Sequence, residues 1–440
     1  MTPPRTLSRF ILFLVSACLL LAAPMFSADR LTGVAFAQSD DKSDEPKTRK
    51  TPAMREQTYK RLSESREFAE AEQYGEALNV LNRMIERGGL NSYEAAQVYN
   101  FYGYIYFSQE KYQDAIRAYQ NVLAQENLPI ALETATIYSL AQLYFAIEDY
   151  DQAVVMINRW LEQTEDPGPE PYILLAQAYY QKKQYREAII PVETAIRIAA
   201  ADGDPPKERW LLLLRVFYFE LEDYDKVADI LHQLLAMNPK RSYWLQLSGI
   251  YGERDQPRKQ LLAFEMAYIQ GILTSGREIV TLSQLYLQAE VPYKAGVVLE
   301  KGLNDGLVEK TARNYRLLSQ AWTMAREDEK AIPTLIQAAR LSDDGELDIR
   351  LARAYANLGQ WSEAADAATQ AIAKGGLRRT DQANILLGMS LYNLDRFPQA
   401  ISAFSAARQD ERSRRDAARW IAHIGSEQQR QASLREAINR

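Results

Sequence analysis

A small residue, an aromatic three places later and an alanine nine places after that recur ten times along this 440-residue chain, at intervals of 33 to 39 residues. The clearest copies are Gly103, Tyr106, Ala115; Ala141, Tyr144, Ala153; Ala176, Tyr179, Ala188; and Ala352, Tyr355, Ala364. Three residues make roughly one helical turn, so the small and aromatic side chains share a face, and the small one admits a neighbouring helix. A second aromatic stands three residues before the alanine, as Tyr74, Tyr112, Tyr150, Tyr185, Tyr224, Trp361 or Phe397, and marks a turn between two helices. Counted from seven residues before each small residue, units begin at 58, 96, 134, 169, 208, 241, 276, 312, 345 and 381.

The spacing resembles the tetratricopeptide repeat, a helix-turn-helix unit of about 34 residues. The resemblance implies an all-α fold: a right-handed α-solenoid of about ten such units over residues 58–411, closed by a C-terminal capping helix at 412–425 and followed by a polar tail, 426–440. A chain of this length ordinarily splits into several domains, but stacked repeats bury their apolar faces against one another and share a continuous core. The beat departs from itself in the middle. Arg215 replaces a small residue, Val227 and Gln260 replace the alanine, and Pro257 and Pro292 replace turn aromatics. Either loops there absorb the mismatch or the superhelix bends. Asp166-Pro167, Asp204-Pro205-Pro206 and Asn238-Pro239 mark junctions between units, and Ser275 with Glu278 has capping-box spacing.

The N-terminus reads as a secretory signal. Arg5 and Arg9 precede an apolar run from Phe10 to Ala23, and Ala35-Phe36-Ala37 offers a small-x-small cleavage site that leaves a mature chain starting at Gln38. The sole cysteine, Cys18, follows Val15-Ser16-Ala17 in a lipoprotein-like context, so it is either lost with the signal or lipidated; a retained anchor is a third reading. A periplasmic location in a Gram-negative bacterium follows, and a mature chain without cysteine suits an oxidising compartment. Residues 38–57 are polar and mixed in charge, the pattern of a flexible leader. Residues 1–37 carry three arginines and one aspartate, so the formal charge of −6 becomes −6 − 2 = −8 after cleavage, with no general attraction for nucleic acid or anionic lipid.

Nothing in the sequence asks for catalysis, a metal or a cofactor. Its two histidines, His232 and His423, lie far apart without ligand-spaced partners, and His232 reads as a partly buried packing residue of a second helix. Gly88-Gly89 and Gly375-Gly376 fall at helix ends, where glycine is a terminator, not in a phosphate loop. The arginines Arg412, Arg414, Arg415 and Arg419 belong to the capping helix and are either its solvated face or a docking patch for an acidic partner.

A binding surface is the alternative to chemistry. The resemblance places first helices on the concave face, with exposed positions beside the structural pair. One place past the structural aromatic stand Phe107, Phe145, Tyr180 and Phe219 in four consecutive units; one turn earlier lie Tyr104, Gln142, Gln177 and Val216, with Gln284 and Gln320 at that earlier position in units seven and eight. Rings and amides in register suit an extended peptide, because rings stack on proline or apolar side chains and amides meet backbone donors and acceptors. The same rings also read as packing against the following unit. The basic residues of carboxylate-clamp repeats are not in place.

Several connecting stretches, Pro292-Tyr293-Lys294-Ala295, Gly306-Leu307-Val308-Glu309-Lys310-Thr311-Ala312, Ser342-Asp343-Asp344-Gly345-Glu346-Leu347 and Asp410-Glu411-Arg412-Ser413, together with the signal and the ten units, resemble periplasmic repeat proteins that accompany TonB, ExbB and ExbD energy-transduction systems. The resemblance implies a non-enzymatic scaffold that assists TonB-dependent outer-membrane transport by binding a protein or extended peptide, with a TonB-like protein as the candidate partner. Contact with membrane is then only through partners or through a lipid on Cys18. The competing expectation is an envelope scaffold for polysaccharide export or outer-membrane assembly, since aromatic rows also stack on sugars.

Overall fold

The computed structural model describes residues 53–438, with side chains to 434; the signal, Cys18 and most of the polar leader lie outside the described residues. The described chain is helical from end to end and divides into two compact units, before and after the Asn238–Pro239 junction. That division falls between the fifth and sixth repeats, where the sequence beat is least regular.

The first unit holds five helix pairs: α1 (Glu56–Glu70) with α2 (Tyr74–Arg87), α3 (Ser92–Ser108) with α4 (Tyr112–Leu123), α5 (Ile130–Ala146) with α6 (Tyr150–Gln163), α7 (Pro169–Gln181) with α8 (Tyr185–Ala201), and α9 (Glu208–Glu220) with α10 (Tyr224–Met237). The second unit holds five more: α11 (Arg241–Glu253) and α12 (Pro257–Ile269), α13 (Gly276–Gln288) and α14 (Pro292–Asn304), α15 (Ala312–Met324) and α16 (Asp328–Arg340), α17 (Glu346–Asn357) and α18 (Trp361–Lys374), and α19 (Thr380–Asn393) and α20 (Phe397–Ala407). The final helix, α21 (Arg414–Ile438), follows.

The turn aromatic opens the second helix in seven repeats, and Pro257 and Pro292 take the first helical position of α12 and α14, where a missing N–H costs nothing. The small residue works at atomic contact. A Cβ on Gly103 would lie 2.6 Å from the Tyr119 ring, and one on Gly388 would lie 2.7 Å from Phe404. In three repeats whose small residue is serine, its hydroxyl reaches the carbonyl at the alanine position of the second helix: Ser65 to Ala77, Ser248 to Gln260 and Ser283 to Ala295, each at 3.0 Å, whereas Ser319 of the eighth donates to Arg316 of its own helix at 2.8 Å.

No repeat closes a core by itself. Leu81 of the first repeat packs in one cluster with Val98 and Ile105 of the second, and Ile116 and Tyr119 pack with Leu140 and Tyr144 of the third. In the second unit a single cluster runs from Leu261 to Ala383, and the last repeat packs Phe397 and Phe404 against Ala417 and Ile424 of α21. Each fully buried leucine contributes about 1.5–3 kcal/mol against an exposed reference, so the stacking of neighbours supplies the stability that isolated pairs lack.

Two expectations need correction. The capping helix does not end at 425 with a polar tail; it runs to Ile438. Its polar half is built of strong helix formers, and Glu427 accepts from Arg430 and Gln431 one turn on, so the helix propagates past Gly425. His232 is exposed on α10 rather than a packing residue.

Candidate partner-binding surface

The four rings one place past the structural aromatic end the first helices α3, α5, α7 and α9 of the first unit, and all are half-buried. Each leans on the ring that opens the second helix of its own repeat: Phe107 on Tyr112 with centroids 6.1 Å apart, Phe145 on Tyr150 at 5.3 Å, Tyr180 on Tyr185 at 6.0 Å and Phe219 on Tyr224 at 5.9 Å. Part of the row's burial therefore comes from packing across the turn. Neighbouring repeats are also linked: Phe107 and Phe145 flank one core cluster, and Tyr180 meets Phe217 of α9 at 5.6 Å.

The earlier position behaves differently along the chain. Tyr104, Gln142, Gln177 and Val216 are half-buried on the same first helices. Neither glutamine side chain has a hydrogen-bond partner among the described residues, so both amides keep their full capacity. Gln284 and Gln320 are exposed and belong to the second unit; the Gln320 amide lies 3.8 Å from Met324 Sδ.

Electrostatics sharpen the third ring of the row. Burial, and then the charge of Glu220, raise the Tyr180 phenol above its ordinary value, and the same two causes raise Tyr185. Both hydroxyls stay protonated at neutral pH and remain donors. On α3, Tyr102 stacks on Tyr106 at 6.0 Å and donates to Asn82 Oδ1; burial is the main reason its phenol is raised.

A feature of the second unit escaped the sequence reading. Lysines at the third position of α12, α14 and α16 cover the structural aromatics of their own repeats: Lys259 over Tyr251 at 5.4 Å, Lys294 over Tyr286 at 5.6 Å and Lys330 over Trp322 at 4.8 Å. The corresponding residues of α4, α6 and α8 are Asp114, Gln152 and Glu187, while α10 carries Lys226. This constant offset from the helix start was legible, but it belongs to a position that the small–aromatic–alanine beat does not contain. Its consequence is chemical: the structural rings of the sixth, seventh and eighth repeats are capped by cations.

Two family models match parts of the chain: RNPP family C-terminal domain over residues 64–197 and Tetratricopeptide repeat over residues 349–422. No curated protein matches it. Among solved structures, a tetratricopeptide repeat protein from Parabacteroides merdae ATCC 43184 is 17% identical with a TM-score of 0.35, over 60% of this chain and 99% of its own. YrrB, a TPR protein with an unusual peptide-binding site, is 15% identical with a TM-score of 0.35 over 44% of this chain and 97% of its own. The TPR2AB domain of yeast Sti1, in complex with pHSP90, is 14% identical with a TM-score of 0.25 over 67% and 98%.

Proposed function

We propose that this tetratricopeptide-repeat protein is a non-enzymatic periplasmic scaffold whose first unit binds an extended segment of a partner protein, in service of TonB-dependent outer-membrane transport. The observation that carries the binding role is the row itself: four half-exposed rings in consecutive repeats of one compact unit, with unengaged amides at Gln142 and Gln177. Each ring is braced by a second ring 5.3–6.1 Å away, so it meets a ligand with little rotamer entropy left to lose. Stacking on such a ring contributes about 1–2 kcal/mol per ring buried.

The transport role rests on the resemblance of the connecting stretches and the signal, and on a physical match. A proline-rich periplasmic linker is already extended before binding, and rings with amides between them suit such a chain. Photo-crosslinking residues placed at Phe145 and Tyr180 in living cells test it. The expected result is an adduct with a TonB-like protein; adducts with other envelope proteins and none with that class would overturn the transport role while keeping the groove. Saturable binding of oligosaccharides to the row would instead support the export-scaffold reading. Mass spectrometry of the mature chain is expected to show a start at Gln38; a start at Cys18 would point to lipidation, and an intact N-terminus would rule out signal cleavage.

A further inference from the structure

The eighth repeat departs from most of the others at one position of its second helix without any break in its helices. Eight residues past the alanine position of the second helix, eight of the ten repeats carry leucine, isoleucine or tyrosine, Leu235, Leu303 and Ile372 among them, and the tenth carries Arg408. The eighth carries Ala339, which is 5% exposed. Beside it a cleft of about 530 Å³ opens between α16, α17 and α18, lined on its apolar side by Ile336, Leu351, Ala367 and the Tyr355 ring, with the Gln370 amide at its edge. This is the size of a small-ligand pocket.

The polar lining divides into a satisfied pair and an unsatisfied remainder. Lys374 Nζ donates to the buried Asp348 at 3.1 Å and to the Ala339 carbonyl at 2.7 Å, so that pair is internally neutral. Arg340 on α16 and Glu363 and Asp366 on α18 also line the cleft, and none of the three has an ion-pair partner among the described residues. Glu363 and Asp366 are three residues apart on one helix, hence on one face, and with Arg340 they leave the cleft one negative charge in excess.

We infer that this cleft accepts a basic side chain, arginine or lysine, presented by an extended segment of a partner protein. The aliphatic stem lies against Ile336, Leu351 and Ala367, and the cationic head reaches the two carboxylates, the division of labour that long basic side chains adopt at surfaces. Arg340, on the opposite helix, donates to the carbonyls of the same segment. The site lies in the second unit and shares no residue with the ring row, so it stands or falls separately from the function proposed above.

The test uses the purified chain and a fluorescein-labelled Gly/Ser peptide with one central arginine, compared by fluorescence anisotropy with the same peptide bearing citrulline, a neutral isostere. The chain is expected to bind the arginine peptide at least ten-fold more tightly. Ala339→Leu introduces the leucine that the seventh repeat carries as Leu303, fills the cleft without changing charge, and is expected to abolish the preference. The Glu363→Gln/Asp366→Asn variant alters only exposed side chains and is expected to abolish it with unchanged thermal unfolding. A preference that survives both variants, equal binding of the two peptides, or tighter binding of a glutamate-centred peptide would each overturn the proposal.

Discussion

Glu94 stands at the third position of α3 with its side chain wholly buried, and it accepts hydrogen bonds from the Arg55 guanidinium, from the Arg55 backbone N–H at 2.9 Å and from Thr58 Oγ1 at 2.8 Å. Arg55 is the chief reason that its carboxyl drops from the ordinary 4.5 to about 2. A carboxyl depressed in the folded state contributes stability that is fully present above the unfolded value and is lost as pH falls toward the folded one. The first unit is therefore expected to lose stability between about pH 5 and pH 2. Glu94→Gln is expected to lower the unfolding temperature at pH 7 and to flatten this acid limb, as read by thermal melts across pH. Asp381, held low chiefly by Arg379, extends the same behaviour to the last repeat. At Gly103 the issue is space, since the added Cβ of Gly103→Ala meets the Tyr119 ring at 2.6 Å. A loss of about 1–3 kcal/mol is expected in urea unfolding. Trimming the ring in Gly103→Ala/Tyr119→Leu is expected to give a loss smaller than the sum of the two single changes.

Turns within the repeats obey one rule that the residue types conceal. In each repeat one residue between the two helices takes a left-handed backbone: Glu110 at φ 58°, Glu148 at 62°, Lys183 at 58°, and Gly359 at 73° in the ninth. The next N–H then bonds back to the carbonyl of the structural aromatic, as Lys111 does to Tyr106 and Asp149 to Tyr144, each at 2.9 Å, and in the tenth repeat to Leu391, which stands in the aromatic's place. The aromatic thus packs through its side chain and terminates the helix through its backbone. Nine of these ten residues are not glycine and bear the strain of that conformation. Glu110→Gly is expected to gain about 0.5 kcal/mol, the relief of strain less the extra freedom of glycine in the unfolded chain, and a loss of stability on denaturant titration would refute this.

At the scale of the molecule, stability passes from neighbour to neighbour, so the ends matter. Trp420 of α21 stacks on Phe404 at 5.3 Å with a 4° interplanar angle, and the Tyr392 hydroxyl meets His423 Nε2 at 3.0 Å. Removing residues 414–440 uncovers that face. Amide exchange is expected to speed up through α19 and α20 while the first unit keeps its protection, because each repeat rests on its neighbours alone. Uniform acceleration along the chain would show one cooperative unit instead.

The helix pairs were legible from the beat, since side chains three or four residues apart share a face and a small residue next to an aromatic leaves few other ways to pack. Ten first helices begin within four residues of the expected unit starts. The candidate surface was legible only as a register. That Phe145 leans on Tyr150, that Gln284 and Gln320 fall in another compact unit, and that Lys259, Lys294 and Lys330 lie over rings are facts of approach between segments. Periodicity along one helix does not contain them. The same holds for the turns, where glutamate adopts a conformation that its own preference disfavours because packing on both sides determines the chain path. What the sequence by itself determined is the repeat, through contacts internal to each helix pair. What only the tertiary structure decided is which faces remain open, because exposure is set by the partner that each residue meets across the stack.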